Sequence, residues 1–263
     1  MQPGEIIGRG RTADIYKYGP WAFKWLHAPF AGNAEVFNEV VKALAASRAG
    51  ARSPQIIAVL EHGGRPGILF ERLSGPAMLD VIMSKWWQVG RLGRQLAELH
   101  ASLHAASVPG LDTMHQRLQR AIERNPRLDA QLKSGALGVL ERMPQGSSLC
   151  HGDFHPGNVM FHHGQAMVVD WVDASQGNPL ADVARTQMLF LIPRLPLDGL
   201  MLAILQRLRG YMLNVYLREY FRLRPEGREQ LDDWMTVILA ARLAERVEGE
   251  EELLLAELRK RLS

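Results

Sequence analysis

The stretch that decides the fold is Cys150-His151-Gly152-Asp153-Phe154-His155-Pro156-Gly157-Asn158-Val159-Met160-Phe161-His162-His163-Gly164-Gln165-Ala166-Met167-Val168-Val169-Asp170-Trp171-Val172-Asp173. It places Asp153, Asn158 and Asp170 in one short segment, with apolar runs between them. Residues 159–161 and 166–169 read as two short strands, and residues 162–165 between them have the length of a hairpin turn. A carboxylate, a carboxamide and a second carboxylate at the mouth of a hairpin suit one task. They offer hard oxygen ligands to Mg²⁺ while a carboxylate takes a proton from an incoming hydroxyl.

Upstream, residues 6–18 read as strand, glycine-containing turn, strand. Gly8 and Gly10 let backbone N–H groups approach a phosphate with no Cβ in the way, and Arg11 and Thr12 complete the turn. Ala13 stands where a third glycine of G-x-G-x-x-G would be. Taken alone, the segment is equally an ordinary β-turn. It is not a Walker A loop, because no G-K-[ST] follows, and it makes a poor dinucleotide fingerprint, because a strand follows it. Residues 21–26 form a third strand. Lys24 lies there among residues that favour burial, either facing solvent or aimed into a cleft. Its place after a glycine turn and a second strand favours the cleft.

Residues 33–47 show helical spacing, with Asn33 as a candidate cap and Val36, Phe37, Val40, Val41 and Leu44 as the apolar face. Glu39 and Glu35 can both pair with Lys24. Glu39 is preferred, because an acid in the first turn has an ordinary dipole explanation, and Glu35 stays open. Ser53-Pro54 breaks the helix. Residues 55–62 and 67–73 then read as strands joined by Gly63-Gly64-Arg65-Pro66. The best boundary lies at residues 71–76, dividing the chain into 1–73 and a helical 74–263.

Within the helical part, residues 86–106 form a strong helix striped by Leu92, Leu96, Leu99 and Leu103. His100 and His104 have metal-ligand spacing but no H-E-x-x-H, so they read as surface or core histidines. Residues 111–124 and 128–143 read as helices on the near side of the deciding stretch. On its far side, a helix begins after Pro179, with Asp182 near its start satisfying backbone N–H groups, and residues 197–223, 228–247 and 250–262 are helical.

The 263 residues can bury a sizeable core, and 47% hydrophobic with 22% charged residues is the balance of a soluble globular protein. The single cysteine, Cys150, excludes an intrachain disulfide and fits a reducing, cytoplasmic setting. The N-terminus lacks the basic and apolar regions of a signal peptide, and no apolar run reaches membrane-spanning length. A net charge of +3, with basic residues dispersed among acidic ones, points to no nucleic-acid partner.

H-G-D-F-H-P-G-N (residues 151–158) followed by V-V-D-W (168–171) closely resembles the phosphotransfer motif of the aminoglycoside phosphotransferase family, whose protein-kinase-like fold choline, ethanolamine and homoserine kinases share. The glycine turn, Lys24, a helical Glu and residues 71–73 fall in that family's order, so the resemblance covers residues 6–185. It implies an α+β, two-lobed architecture: a small antiparallel N-lobe of five strands and one helix, then a larger, mostly helical C-lobe. It further implies ATP or GTP, Mg²⁺ and a small-molecule hydroxyl acceptor. Carried over, Asp153 is the catalytic base, and Asn158 and Asp170 are the Mg²⁺ ligands. Lys24 holds the α- and β-phosphates, with Glu39 as its partner. Gly8, Gly10, Arg11 and Thr12 cover the phosphates, and backbone groups of Glu71 and Leu73 hold adenine. His151 braces the loop.

Gly152 replaces the arginine of the protein-kinase H-R-D motif, Trp-Val follows Asp170 instead of Phe-Gly, and no A-P-E follows. These departures favour a small-molecule kinase over a protein kinase. Two rivals stand beside it: a metal-dependent hydrolase built on His151, Asp153 and His155, with His162, His163 and Asp170 close by, and a catalytically silent nucleotide-binding module. The hydrolase leaves Lys24 and Asn158 idle. Among acids that could receive a cationic acceptor, Asp173, Asp182, Glu245 and Glu248 are the candidates.

Overall fold

The computed structural model describes residues 3–30, 32–192 and 199–263. The fold is α+β: a five-stranded antiparallel sheet with one helix, then a largely helical part. In chain order the elements are β1 (Ile6–Arg9), β2 (Ala13–Tyr18), β3 (Trp21–Leu26), α1 (Asn33–Arg48), β4 (Ile56–His62), β5 (Arg65–Glu71) and α2 (Met78–Ser84). They continue with α3 (Val89–His104), α4 (Met114–Glu123), α5 (Ala130–Arg142), β6 (Ser148–Cys150), β7 (Val159–His162), β8 (Gln165–Val168) and β9 (Ser175–Gly177). The last are α6 (Pro179–Leu191), α7 (Gly199–Leu223), α8 (Leu231–Arg242) and α9 (Glu251–Leu262). Leu197, where the sequence predicts the start of α7, lies outside the described residues.

The chain forms two compact units, residues 1–81 with 156–174, and residues 82–155 with 175–263. This division differs from the 1–73 and 74–263 read from the sequence. The β7–β8 hairpin joins the first unit through backbone bonds: Gly75 N–H to Phe161 O (3.0 Å) and Val168 N–H to Arg52 O (2.7 Å). A Cβ at Gly75 would lie 2.5 Å from the Phe161 oxygen, so only glycine admits that approach.

In the first unit the sheet order is β1-β2-β3-β5-β4. The β4–β5 turn is Gly63-Gly64 alone, both at positive φ (56° and 75°), which is the two-residue hairpin geometry that glycine favours. Arg65 and Pro66, expected in that turn, already pair with His62 and Glu61. Ala13, Leu26, Val36 and Ile68 form the core between sheet and helix, with Val40, Ile56 and Phe70 against them.

The exposed face of α1 corrects the periodicity reading. Val36 is buried, but Phe37, Val41 and Leu44 are exposed, while Glu39, Lys42, Ala43 and Ala46 turn inward. The helix is rotated to bury two polar residues with internal partners: Glu39 meets Lys24, and Lys42 donates to the Val172 carbonyl at 2.6 Å. Asn33 is the first helical residue rather than the cap, a position taken by Gly32 without a side-chain bond.

In the second unit, α3 packs on α7, and α8 packs on α5 and α6. Trp234, Tyr216, Tyr220, Leu92 and Leu96 are among its fully buried side chains. Helix α4 starts at Met114, capped by Thr113, whose hydroxyl accepts the Gln116 N–H, and Asp129 caps α5 in the same way. The single predicted helix over 228–247 ends as α8 at Arg242. A short 3₁₀ turn, Leu243–Glu245, follows, and Arg246 (φ 53°) then reverses the chain. Among the described residues, no helix is long and apolar enough to cross a membrane.

Candidate active site

Each unit carries its own cluster. In the first, Lys24 sits on β3 between Ile15 of β2 and Ile68 of β5 and is 8% exposed. The strand turns it inward, where Nζ donates to Glu39 Oε1 at 2.6 Å and to Asp170 Oδ1 at 2.9 Å. Glu39, not Glu35, is therefore the partner. Burial alone would lower the Lys24 pKa, but Asp170 and Glu39 outweigh it and hold the ammonium raised and protonated.

Asn158 and Asp170 stand at the open end of the β7–β8 hairpin, where Val159 pairs with Val168. The Val169 N–H donates to the Asn158 carbonyl at 3.0 Å, so the two segments are tied directly beside both side chains. His163 and Gly164 close the other end, both at positive φ (47° and 79°). Asp170 itself takes the left-handed conformation (φ 66°), which Asp tolerates better than most residues. One Asp170 oxygen meets Lys24, and the side chain is 43% exposed. A carboxamide and a half-exposed carboxylate are the hard oxygen donors that Mg²⁺ takes, so the residues present fit that ion.

The glycine turn is closed by Gly10 N–H on Ala13 O at 2.9 Å, and the Thr12 carbonyl accepts the His27 N–H at 2.8 Å. Neither Gly8 nor Gly10 has a positive φ, so small size is what these glycines contribute. Among the described residues, the N–H groups of Arg11 and Thr12 take part in no backbone hydrogen bond. At the end of β5 the Glu71 N–H is engaged by Gln55 O at 2.8 Å, and its side chain faces His162 Nε2 at 3.4 Å.

In the second unit the segment after β6 is held from below. Asp182, fully buried on α6, accepts the backbone N–H of His151 at 2.5 Å and of Gly152 at 2.8 Å. Its Oδ2 also faces His100 Nε2 at 3.1 Å and His104 Nε2 at 3.4 Å, and the Nδ1 atoms of those rings meet the Tyr216 and Tyr220 hydroxyls at 2.7 Å each. With protons on both Nε2 atoms, the carboxylate receives four donors and the tyrosines donate to Nδ1. Burial would raise the Asp182 pKa, but His100 and His104 hold it well below the usual carboxylate range. Burial lowers His100 to about 3. Asp182 thus positions the loop rather than its own helix start, which Asn178 caps.

Gly152 has φ 81°, and this conformation delivers its N–H to Asp182. The loop turns there and presents Asp153, whose N–H donates to His151 Nδ1 at 3.2 Å. That bond gives His151 the bracing role expected of it. The Asp153 carboxylate has His155 Nε2 at 3.5 Å and Arg185 Nη2 at 3.6 Å. Burial alone would raise its pKa, but His155, Arg185 and His151 together hold it well below the ordinary range, so it is ionised at neutral pH.

Sequence reasoning missed Arg185 and Arg242, and took Asp182 and Glu245 as acids for a cationic acceptor, whereas both are bonded within the protein. One signal was available: Asp182 and Arg185 lie one turn apart on an otherwise apolar run, Leu180-Ala181-Asp182-Val183-Ala184-Arg185. His151, Asp153 and His155 do not, among the described residues, bring three ligand atoms together as a metal-binding group. Among the described residues, the one group of His, Cys, Asp or Glu with ligand atoms close together is His100, His104 and Asp182, which includes none of the proposed ligands and is hydrogen-bonded throughout.

The model of the phosphotransferase enzyme family matches residues 17–225. Among solved structures, the fold is similar to a thermostable mutant of the aminoglycoside phosphotransferase APH(4)-Ia in ternary complex with ADP and hygromycin B (TM-score 0.67, 18% identity, 98% of this chain and 91% of that one). It is also similar to a choline/ethanolamine kinase family protein from Mesorhizobium loti (TM-score 0.63, 16% identity, 99% and 91%). A third is the GDP complex of wild-type aminoglycoside 2'-phosphotransferase-IIIa (TM-score 0.62, 18% identity, 99% and 92%). No match was found among curated proteins.

Proposed function

The chain belongs to the phosphotransferase enzyme family and is a small-molecule phosphotransferase, and we propose that it moves the γ-phosphate of ATP or GTP, as the Mg²⁺ complex, onto a hydroxyl of a small molecule. The observation that carries the site assignment is Lys24 bonded to both Glu39 and Asp170, with Asn158 at the same hairpin mouth. Lys24 is an obligate cation there, suited to nucleotide phosphates. The N–H groups of Arg11 and Thr12, which among the described residues have no backbone partner, suit the outer phosphates, with Gly8 and Gly10 leaving room. Glu71 has its N–H engaged, so its carbonyl and the backbone of Leu73 are what this strand end offers adenine. Held by Asn158 and Asp170, Mg²⁺ would neutralise phosphate charge.

Asp153 is the acceptor-side residue. An ionised carboxylate on a loop pinned by Asp182 accepts the hydroxyl proton and orients the oxygen for attack. Two of the four acids named as candidates for a cationic acceptor are already committed. Asp182 is fully buried and Glu245 is paired with Arg185 and Arg242, so neither is open to a polycation. That leaves Asp173, half-buried, and Glu248, exposed, as the remaining candidates, so an amino alcohol, a sugar or another hydroxyl metabolite is as good a fit as an aminoglycoside.

Two measurements test the reading. Thermal melting should rise by several degrees with millimolar ATP or GTP plus MgCl₂; the same shift without Mg²⁺, or none with either nucleotide, counts against it. Asp153→Asn should remove acceptor-stimulated ADP or GDP release while keeping that thermal shift. Substantial retained turnover would rule out Asp153 as the base.

A further inference from the structure

Asp153 is flanked by a chain of alternating charges that ends outside the residues matched to the family, 17–225. Arg185, 7% exposed on α6, has Nη2 at 3.6 Å from Asp153 Oδ1 and Nη1 at 2.6 Å from Glu245 Oε1. The other Glu245 oxygen pairs with Arg242. Arg242, 8% exposed, also holds the buried Glu250 through two bonds, Nε to Oε2 at 2.8 Å and Nη2 to Oε1 at 3.1 Å. The left-handed turn at Arg246 brings Glu250 back to Arg242.

The unequal distances carry the argument. A buried guanidinium facing a single carboxylate closes on it with two parallel N–H···O bonds. On Asp153 that would occupy both oxygens, one of which the acceptor hydroxyl needs. Glu245 instead takes Arg185 at full hydrogen-bond contact, 2.6 Å, while Arg185 stays at 3.6 Å from Asp153 as a neighbouring positive charge. Glu245 is itself fixed from the far side by Arg242, and Arg242 by Glu250.

We propose that Arg185 is a positioning residue for Asp153, held at its working distance by Glu245, and that Arg242, Glu245 and Glu250 make the C-terminal turn part of the catalytic apparatus. The inference rests on Asp153 being the acceptor-side base.

Crystal structures of the wild type and Glu245→Gln test the geometry without any acceptor. Arg185 should close onto both Asp153 oxygens in the variant; a guanidinium that stays at the wild-type separation overturns the proposal. Kinetics test the consequence, using ADP released from Mg·ATP and GDP released from Mg·GTP with water as the acceptor. Arg185→Lys and Glu245→Gln should each lower kcat about tenfold with nucleotide KM within about twofold, and the double variant should be no worse than the worse single, because both act through one contact. Multiplying effects, or a rise in KM at unchanged kcat, would overturn it. Arg185→Lys keeps the kinetic test available if Glu245→Gln does not fold. Asp153→Asn separates the two levels. If it turns over like the wild type, the base assignment falls; if it is inactive while Glu245→Gln is fully active, only the brace falls.

Discussion

Lys24 joins a structural ion pair to a proposed role on the nucleotide phosphates. Its ammonium is nearly buried and neutralises a buried Glu39 whose side chain is 3% exposed. Removing it leaves that carboxylate without its charge partner, and breaking a buried pair from one side costs about 3–5 kcal/mol. Lys24→Met should therefore lower the urea midpoint strongly. Lys24→Met/Glu39→Leu should recover much of the loss, because the one carboxylate then left without Lys24 is Asp170, whose side chain is 43% exposed and hydrated. Activity should separate from stability. Both variants lack the cation proposed for the phosphates, so both should turn over about 100-fold more slowly or worse. Recovery of turnover along with stability in the double variant would make Lys24 a structural ion-pair residue only.

At the scale of elements, the catalytic segment is a turn whose backbone is set from beneath. The positive φ of Gly152 and its bond to Asp182 explain why glycine replaces the arginine of H-R-D. Gly152→Ala must hold a Cβ in a left-handed conformation, which costs about 1–2 kcal/mol. The expected result is a drop in melting temperature and in kcat, with the nucleotide-induced thermal shift unchanged. A kcat equal to wild type would show that the loop accommodates the change without moving Asp153. The same element shows what was legible in the sequence. Asp153, Asn158 and Asp170 could be proposed from the sequence because their residue types at short spacing, and the motif they resemble, both point to phosphoryl transfer. Asp182 and Glu245 read there as acids for a cationic acceptor, because the internal partners that occupy them come from backbone and side chains far along the chain. Helix α1 was read as a helix correctly, but its inward face was not, since Glu39 and Lys42 are buried for partners that hydrophobic periodicity does not register.

Over the whole molecule, the residues proposed for the reaction belong to different units: Lys24, Glu39, Asn158 and Asp170 to the first, Asp153 with Asp182 and Arg185 to the second. The stability of the second unit should carry the pH signature of the buried group beneath its loop. His100 and His104 are held neutral by burial, His100 down to about 3, whereas an unfolded histidine titrates at about 6.5. Above that value neither state binds the proton, and the stability is fully present. As pH falls through it, the unfolded chain takes up protons that the folded one refuses, so stability declines by roughly 1 kcal/mol per pH unit for each histidine. Asp182 adds to this at lower pH: its folded pKa is depressed, so its contribution is present above the usual carboxylate range and is lost as pH falls through that range. Urea unfolding between pH 7 and pH 5 should show this decline, and His100→Gln should flatten it by one histidine's share, whatever the variant's absolute stability. An unchanged slope in His100→Gln would mean that His100 is protonated in the folded protein. In that case the charge balance of the Asp182 cluster, and with it the anchoring of the catalytic loop, would have to be redrawn around an imidazolium.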